Sequence, residues 1–465
     1  MSSALDFDNI TLLTDSYKVT HYRQYKPGTQ TVYSYLESRG GAFEETVFFG
    51  LQYFLKRYLC GCVVTAEKID VAEELYSAHF GDASLFNRGG WQHIIDRHGG
   101  RLPVTIKAVP EGTVVPVSYV LMTIENTDPE CYWLTNYLET LLVQVWYGCT
   151  VASQSREMKQ TILRYLDETG DPALIDFKLH DFGFRGVSSV ESAAVGGAAH
   201  LVNFLGTDTI AGIVLAKNYY SASMPGFSIP AAEHSTITSW GQEHEAAAME
   251  NMLDQFPDGL VAVVSDSFDI FTACREIWGN QLKDKVLGRE GTVVIRPDSG
   301  DPSTVVCKLL DILGEAFGSE TNAKGYRVLP PQVRLIQGDG IDRQSLGEIL
   351  QAVKAGGWSA DNLAFGSGGG LLQKLNRDTS KYAFKCSSIT IDDEDHDVFK
   401  DPITDTGKKS KRGRLRLVRQ DGQLMTVADT DTSQSNELME VFRDGDLLQE
   451  YSFGEIRERA ACENE

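Results

Sequence analysis

The sequence predicts an α/β protein in which a central run of strand–helix units is flanked by a mixed α/β region and a β-rich tail, and three observations carry that expectation. Between about residues 177 and 370 an apolar run, a polar or Gly-rich turn and a helical stretch recur at about seven places: FKLHDFGFRG, FLGTDTIAG, GFSIPAAEH, LVAVVSDSFD, TVVIRPDSGD, VRLIQGDGID and NLAFGSGGG. The runs VAVV and TVVI are continuous rather than alternating, as parallel strands buried on both faces require. Polar residues gather at the ends of these runs. Alternation at this spacing implies βα units, hence an open doubly wound sheet or a barrel. In both, ligands bind at the carboxyl ends of the strands.

Residues 1–150 read as a mixed α/β domain. TVYSYLESR alternates like a strand, TVFFGLQYFLKRYL reads as an apolar helix, and VTIKAVPEGTVVPVSYVLMTIEN holds strands punctuated by Pro and Gly. ENTDPECYWLTNYLETLLVQVWYGCTVASQSREMKQTILRYL follows with Thr and Asp start signals for long helices. Its Trp, Tyr and Leu exceed the needs of one surface helix, which points to a domain or subunit interface. Residues 151–374 carry the repeated βα units. From 375 to 465 strands return in YAFKCSSITI and in two hairpins turning at Asp421-Gly422 and Asp444-Gly445. This tail is expected to pack on the N-terminal domain.

Bulk properties narrow the function. At 465 residues and 42% hydrophobic, the chain can bury full cores in more than one domain. MSSALDFDNITLL lacks a basic flank and an apolar core, and no run of about 18 apolar residues occurs, so neither export nor membrane insertion is expected and the cytoplasm is. The eight Cys include no CxxC and read as reduced thiols. A net charge of -22 argues against nucleic acid and anionic membranes as partners. An anionic ligand must be met by local basic clusters.

The run-ends carry the chemistry. In IRPDSGDP, Arg296 and Asp298 alternate past a β-branched run onto one side, and Ser299, Gly300 and Asp301-Pro302 suit a helix entry. A cation, a carboxylate and a helix start suit a phosphorylated sugar with its metal ion, though an Arg–Asp pair closing a turn would look the same. QGDG and GSGGG let backbone N–H groups approach a phosphate, yet Gly-rich βα turns also arise for steric reasons, and neither fits GxxxxGK[ST] or GxGxxG. HDFGFRG places Phe182 near Arg185, a way to hold a flat ring beside an anion; the alternative is a core Phe and a rim Arg. Asp208 in GTDT is a second carboxylate at a run-end, or simply a cap for IAGIVLAKNYY. His234 follows Glu233, and with His244 it misses the HExxH spacing, so zinc ligation is not expected. A carboxylate such as Asp266 on one ring nitrogen would fix the tautomer and leave the other nitrogen as nucleophile or base.

These stretches, together with TDSYKVTHYRQY, HLVNFLGTDTIAG, PAAEHSTITSWG, AFGSGGGLLQK and FKCSS, resemble the nicotinate phosphoribosyltransferase superfamily almost end to end and in order, on the side of its nicotinamide-using members. The resemblance implies the irregular α/β barrel of type II phosphoribosyltransferases beside a mixed α/β domain formed by both chain ends. It implies that nicotinamide and phosphoribosyl pyrophosphate give nicotinamide mononucleotide and pyrophosphate in NAD salvage, with Mg²⁺ and with ATP as co-substrate. It implies a homodimer with shared active sites.

Carried over position by position, His234 resembles a histidine phosphorylated by ATP, with Asp266 orienting its ring and Glu233 beside it. Arg185, His234 and Arg296 correspond to diphosphate contacts. Asp298, Gly338, Asp339, Gly369 and Arg377 correspond to the ribose and 5′-phosphate site. Asp208, Phe182, Arg296 and Tyr17 of the other subunit correspond to the nicotinamide pocket, with Phe182 and Tyr17 sandwiching the ring. Arg39, Lys385, Lys400 and Lys408 resemble further phosphate contacts, and Mg²⁺ would be held mainly through substrate phosphates. The sequence departs from animal members in a shorter loop after Arg39 and in Ala262 where a Ser is expected. Rival readings are a nicotinate-using enzyme of the same fold and a Mg²⁺-dependent barrel lyase or aldolase acting on a sugar phosphate.

Overall fold

A computed structural model describes residues 4–404, 409–430 and 434–462. The chain forms two compact units, one from the residues up to Ser153 with Asn218–Ala222 and Leu375–Ala460, the other from Gln154–Lys217 and Ser223–Lys374 together with Ala461 and Cys462. The short insert Asn218–Ala222 departs from the expected contiguous central domain. It joins the terminal unit because the buried ring of Tyr220 stacks on Phe49 at 5.2 Å, and because Gln52 Nε2 donates to Tyr219 O at 2.7 Å.

The terminal unit is built on a seven-stranded antiparallel sheet ordered Glu394–Asp397, Tyr382–Ile391, Thr29–Ser38, Val120–Asn126, Val104–Ala108, Met439–Arg443 and Asp446–Leu447. Strands from both chain ends therefore share one sheet, as expected. Tyr35 and Leu36, which point to opposite faces, are both 0% exposed, so the central strand is covered on both sides despite its alternating text. Both hairpin turns occur where expected, with Asp421 and Asp444 at φ 50° ahead of Gly422 and Gly445 at positive φ. The aromatic stretch after residue 130 faces inward: Trp133 and Tyr137 are buried, and Trp91 meets Trp133 edge-on at 4.9 Å. Those two rings fill the core of this unit, while Tyr132, Trp146 and Tyr147 stay partly exposed.

In the other unit six parallel strands are ordered Gly206–Thr207, Leu179–Asp181, Leu363–Ser367, Val333–Gln337, Gly291–Arg296 and Gly259–Val264. The open edges meet through the stretch 227–232. Thr207 N donates to Phe227 O at 3.0 Å on one edge, and on the other Ala262 N donates to Pro230 O and Ala232 N to Ala262 O, both at 2.9 Å. The sheet thus closes into an irregular barrel. Pro230 lacks an N–H, so this seventh segment bridges its neighbours without a full ladder. Ala262, Val294 and Ile336 form the barrel interior, with Phe182, Ile229 and Ala364 packed against them. Helix entries behave as read: Asp301 Oδ2 accepts from Thr304 N at 2.9 Å and caps Pro302–Phe317.

Among the described residues no helix is long and apolar enough to cross a membrane, and all eight Cys are free thiols, with Cys131, Cys149 and Cys274 buried and Cys62 exposed.

Candidate active site

The carboxyl ends of the barrel strands bring His234, Asp266, Arg296 and Asp298 together. Asp266 follows Gly259–Val264, and its side chain is only 5% exposed. Its Oδ1 lies 3.2 Å from His234 Nε2, and its Oδ2 accepts from Asp298 N at 3.1 Å and Ser299 Oγ at 2.6 Å. A carboxylate only accepts, so the proton of the His234 ring sits on Nε2 and Nδ1 is the open nitrogen. Nδ1 stands 4.0 Å from Asp298 Oδ2.

Arg296 and Asp298 do lie on one side, with Nη1 3.0 Å from Asp298 Oδ1, while Nη2 donates to Ala232 O at 3.3 Å. Burial pushes the Asp298 carboxyl up; Arg296 opposes this, and Asp266 and Asp339 add to it. Glu233 makes capping contacts beside His234. It precedes the turn of helix His234–Thr238, Thr236 Oγ1 accepts from its N–H at 3.3 Å, and its carboxylate takes the Ser235 hydroxyl.

Phe182, directly after Leu179–Asp181, lies on the interior cluster, with its N–H donating to Ser367 O at 2.9 Å. A Cβ on Gly366 would stand 1.9 Å from this ring, so the first glycine of GSGGG makes room for an aromatic and not for a phosphate. Gly338 borders Phe182 and Asp298, a Cβ on Gly370 would strike Ile341 O at 2.3 Å, and Gly369 alone has open space around it. The sequence treated these glycines as one signal; the structure separates three causes.

Asp208 is not the cap of the following helix. Thr207 Oγ1 takes the Thr209 N–H at 2.9 Å, and Asp208 Oδ1 lies 3.0 Å from His180 Nε2 and accepts from the Ser228 hydroxyl. Burial raises the Asp208 carboxyl, but His180 and Ser228, with Arg185 nearby, hold it below the usual range. The His180 ring also lies 4.9 Å from that of Phe182. His180 stands in the run-end HDFGFRG but was given no role there, and Ser228 was not singled out, although its own run-end was the one signal that could have found it. Arg185 is exposed on the turn Phe184–Gly186, and the Asp339 carbonyl accepts from Gln337 Nε2 at 2.9 Å.

The remaining predicted residues belong to the terminal unit. Tyr17 is 60% exposed beside the buried Lys18, whose Nζ pairs with Glu139 at 2.7 Å. Arg39 Nε pairs with Glu37 at 2.8 Å, and Arg377 is exposed, 3.8 Å from Asp378. Burial lowers the Lys385 ammonium; Glu139 opposes this, and the charges of Arg39, Arg377 and Lys18 add to it. Lys400 is exposed, and Lys408 lies outside the described residues.

Residues 177–446 match the model of the nicotinate phosphoribosyltransferase family, and residues 9–106 match that of the nicotinamide phosphoribosyltransferase N-terminal domain. The chain is 53% identical over 464 residues to a nicotinamide phosphoribosyltransferase of Xanthomonas campestris pv. campestris, covering 97% of this chain and 98% of that one. Its fold is similar to a nicotinate-nucleotide pyrophosphorylase from Pyrococcus furiosus, with TM-score 0.62, 16% identity and 99% and 97% of the two chains covered. It is also similar to human nicotinic acid phosphoribosyltransferase, with TM-score 0.57, 15% identity and 97% and 93% covered.

Proposed function

The chain belongs to the nicotinate phosphoribosyltransferase family and is a pentosyltransferase with the type II barrel, and from that premise we propose that it transfers the phosphoribosyl group of phosphoribosyl pyrophosphate to nicotinamide, giving nicotinamide mononucleotide and pyrophosphate. The observation that carries the choice of pyridine is the pair of Phe182 and Asp208 around His180, 4.9 Å and 3.0 Å from that ring respectively. Phe182 supplies a flat face. The Asp208 carboxylate, held ionised by its neighbours, accepts from an amide N–H₂ and repels a carboxylate.

In this reading Arg296 and Arg185 take the diphosphate, while Asp298, Asp339 and the open backbone at Gly338 and Gly369 take the ribose and its 5′-phosphate. Among the described residues the barrel carboxylates do not converge into a three-ligand cage. Asp298 and Asp339 fit a Mg²⁺ held by one or two carboxylates and by substrate phosphates, where it would neutralise charge on the leaving diphosphate. The acceptor ring becomes a cation as its nitrogen bonds to C1 of the ribose, so an aromatic face gains cation–π attraction as the reaction proceeds. Tyr17 of a second copy would supply the opposite face in a homodimer.

ATP enters at His234. Its open Nδ1 attacks the γ-phosphorus, the bond to the β-γ bridging oxygen breaks, ADP leaves, and Asp266 stabilises the ring by accepting from Nε2–H. Hydrolysis of the phosphohistidine returns the enzyme. The deciding experiment is a product assay with phosphoribosyl pyrophosphate and each pyridine, with and without ATP. Nicotinamide should give mononucleotide and pyrophosphate in equal amounts, faster with ATP. Preferential use of nicotinate would favour the nicotinate-using rival, and sugar-phosphate cleavage without free pyridine would favour a lyase.

A further inference from the structure

In the terminal unit, and taking no part in the chemistry above, two imidazoles aim at a single carboxylate oxygen. His93 Nε2 lies 2.8 Å and His98 Nε2 2.6 Å from Asp128 Oδ2. We propose that His93, His98 and Asp128 form a binding site for a borderline transition-metal ion, Zn²⁺ or a neighbour of it, that pins the end of helix Arg88–His98 to the turn Pro129–Cys131.

The three donor atoms all lie within 4.8 Å of one another, and this is the one such group among the described residues. An ion with bonds of about 2.0–2.1 Å needs tetrahedral donor separations of roughly 3.4 Å, so each of the two N–O contacts has to lengthen by less than about 1 Å. As hydrogen bonds, the two contacts require both rings to place a proton on Nε2 and share one acceptor. One divalent ion replaces both protons and meets the same carboxylate.

The surroundings favour a cation. Asp128 is only 18% exposed, and its Oδ2 is the common partner of both rings, so one carboxylate oxygen and two imidazole nitrogens already face a single point. The other oxygen, Oδ1, accepts from Glu130 N at 2.9 Å, an outer contact that fixes the carboxylate plane. His98 closes its helix at Gly99, φ 60°, where the last carbonyls present partial negative charge. The His side chains are 27% and 25% exposed, leaving access for the ion and for water as a fourth ligand. Two imidazoles and one carboxylate suit Zn²⁺, Co²⁺ or Ni²⁺ and not the all-oxygen shell of Mg²⁺, so this site is distinct in chemistry from that of the phosphoribosyl substrate. A spacing of five residues and then thirty more gave no motif in the sequence.

The test uses the full-length protein stripped with a chelator and titrated with Co²⁺. One Co²⁺ per chain should bind, with visible d–d absorption that Zn²⁺ displaces. His93→Gln, His98→Gln and the isosteric Asp128→Asn should each weaken binding by roughly tenfold or more. Anomalous scattering at the zinc edge from wild-type crystals, which needs no variant, should place the ion between the two imidazoles. Absence of d–d bands, equal binding by wild type and the three variants, or an anomalous peak elsewhere, as at the exposed Cys62, would overturn the proposal.

Discussion

His234 Nε2 stands 3.2 Å from Asp266 Oδ1, and that contact decides which nitrogen of the ring is free. Because Asp266 Oδ2 also holds Asp298 N at 3.1 Å, the orientation of the histidine and the position of the RPDSG turn depend on one buried carboxylate.

It follows that γ-labelled ATP should leave an acid-labile, base-stable phosphoryl group on wild type and none on His234→Ala, which should retain slow transfer. Asp266→Asn should lower the phosphorylation rate by roughly 10²-fold, because an amide no longer selects the Nε2–H tautomer. Label persisting on His234→Ala would rule this histidine out.

Asp208→Asn should shift the ratio of kcat/KM values from nicotinamide toward nicotinate. At about 4 Å a like charge costs between about 1 kcal/mol in water and 4 kcal/mol at an effective dielectric of 20, and Asp208 is 47% exposed. A shift of roughly tenfold is the expected size. An unchanged ratio would remove Asp208 as the selector.

Gly366→Ala should raise the KM for the pyridine by roughly tenfold, an overpacking cost of about 1–3 kcal/mol falling on Phe182, whose ring lies 1.9 Å from the added Cβ. The KM for phosphoribosyl pyrophosphate should barely move. Equal rises for both substrates would mean that the barrel itself, and not the Phe182 face, had been disturbed.

Tyr17→Ala and Asp298→Ala proteins, each inactive alone, should recover part of the activity when mixed, because Tyr17 is offered at the surface and one intact site then forms per heterodimer. No recovery, with subunit exchange shown by native mass spectrometry, would place the whole site in one chain.

Glu111 in the terminal unit is fully buried. Burial lifts its carboxyl from 4.5 to about 7, despite N–H donors from Gln52 at 2.5 Å and Gly50 at 2.9 Å. A raised acid binds more protons folded than unfolded between those values, so its stabilising effect is complete below pH 4.5 and is lost as pH rises to 7. Chemical denaturation should show the wild type losing about 3 kcal/mol relative to Glu111→Gln across that window. A difference that stays flat with pH would show that Glu111 does not titrate there.

What the sequence by itself determined is local. The seven run-ends, the Asp-Gly hairpins and the Asp301 cap each depend on residues within a few positions of one another, and periodicity or turn chemistry reports them directly. The placing of Arg296 and Asp298 on one side followed from strand alternation alone. Tertiary structure decided the rest. Closure of the sheet through 227–232 was invisible because Pro230 breaks the strand pattern while its carbonyl still bridges to Ala262. Pairing of His180 with Asp208, convergence of His93 and His98 on Asp128, and the loss of Gly366's side chain to Phe182 each join residues from separate elements. Such contacts depend on how strands and helices are brought together in space, and no spacing along the chain encodes that distance.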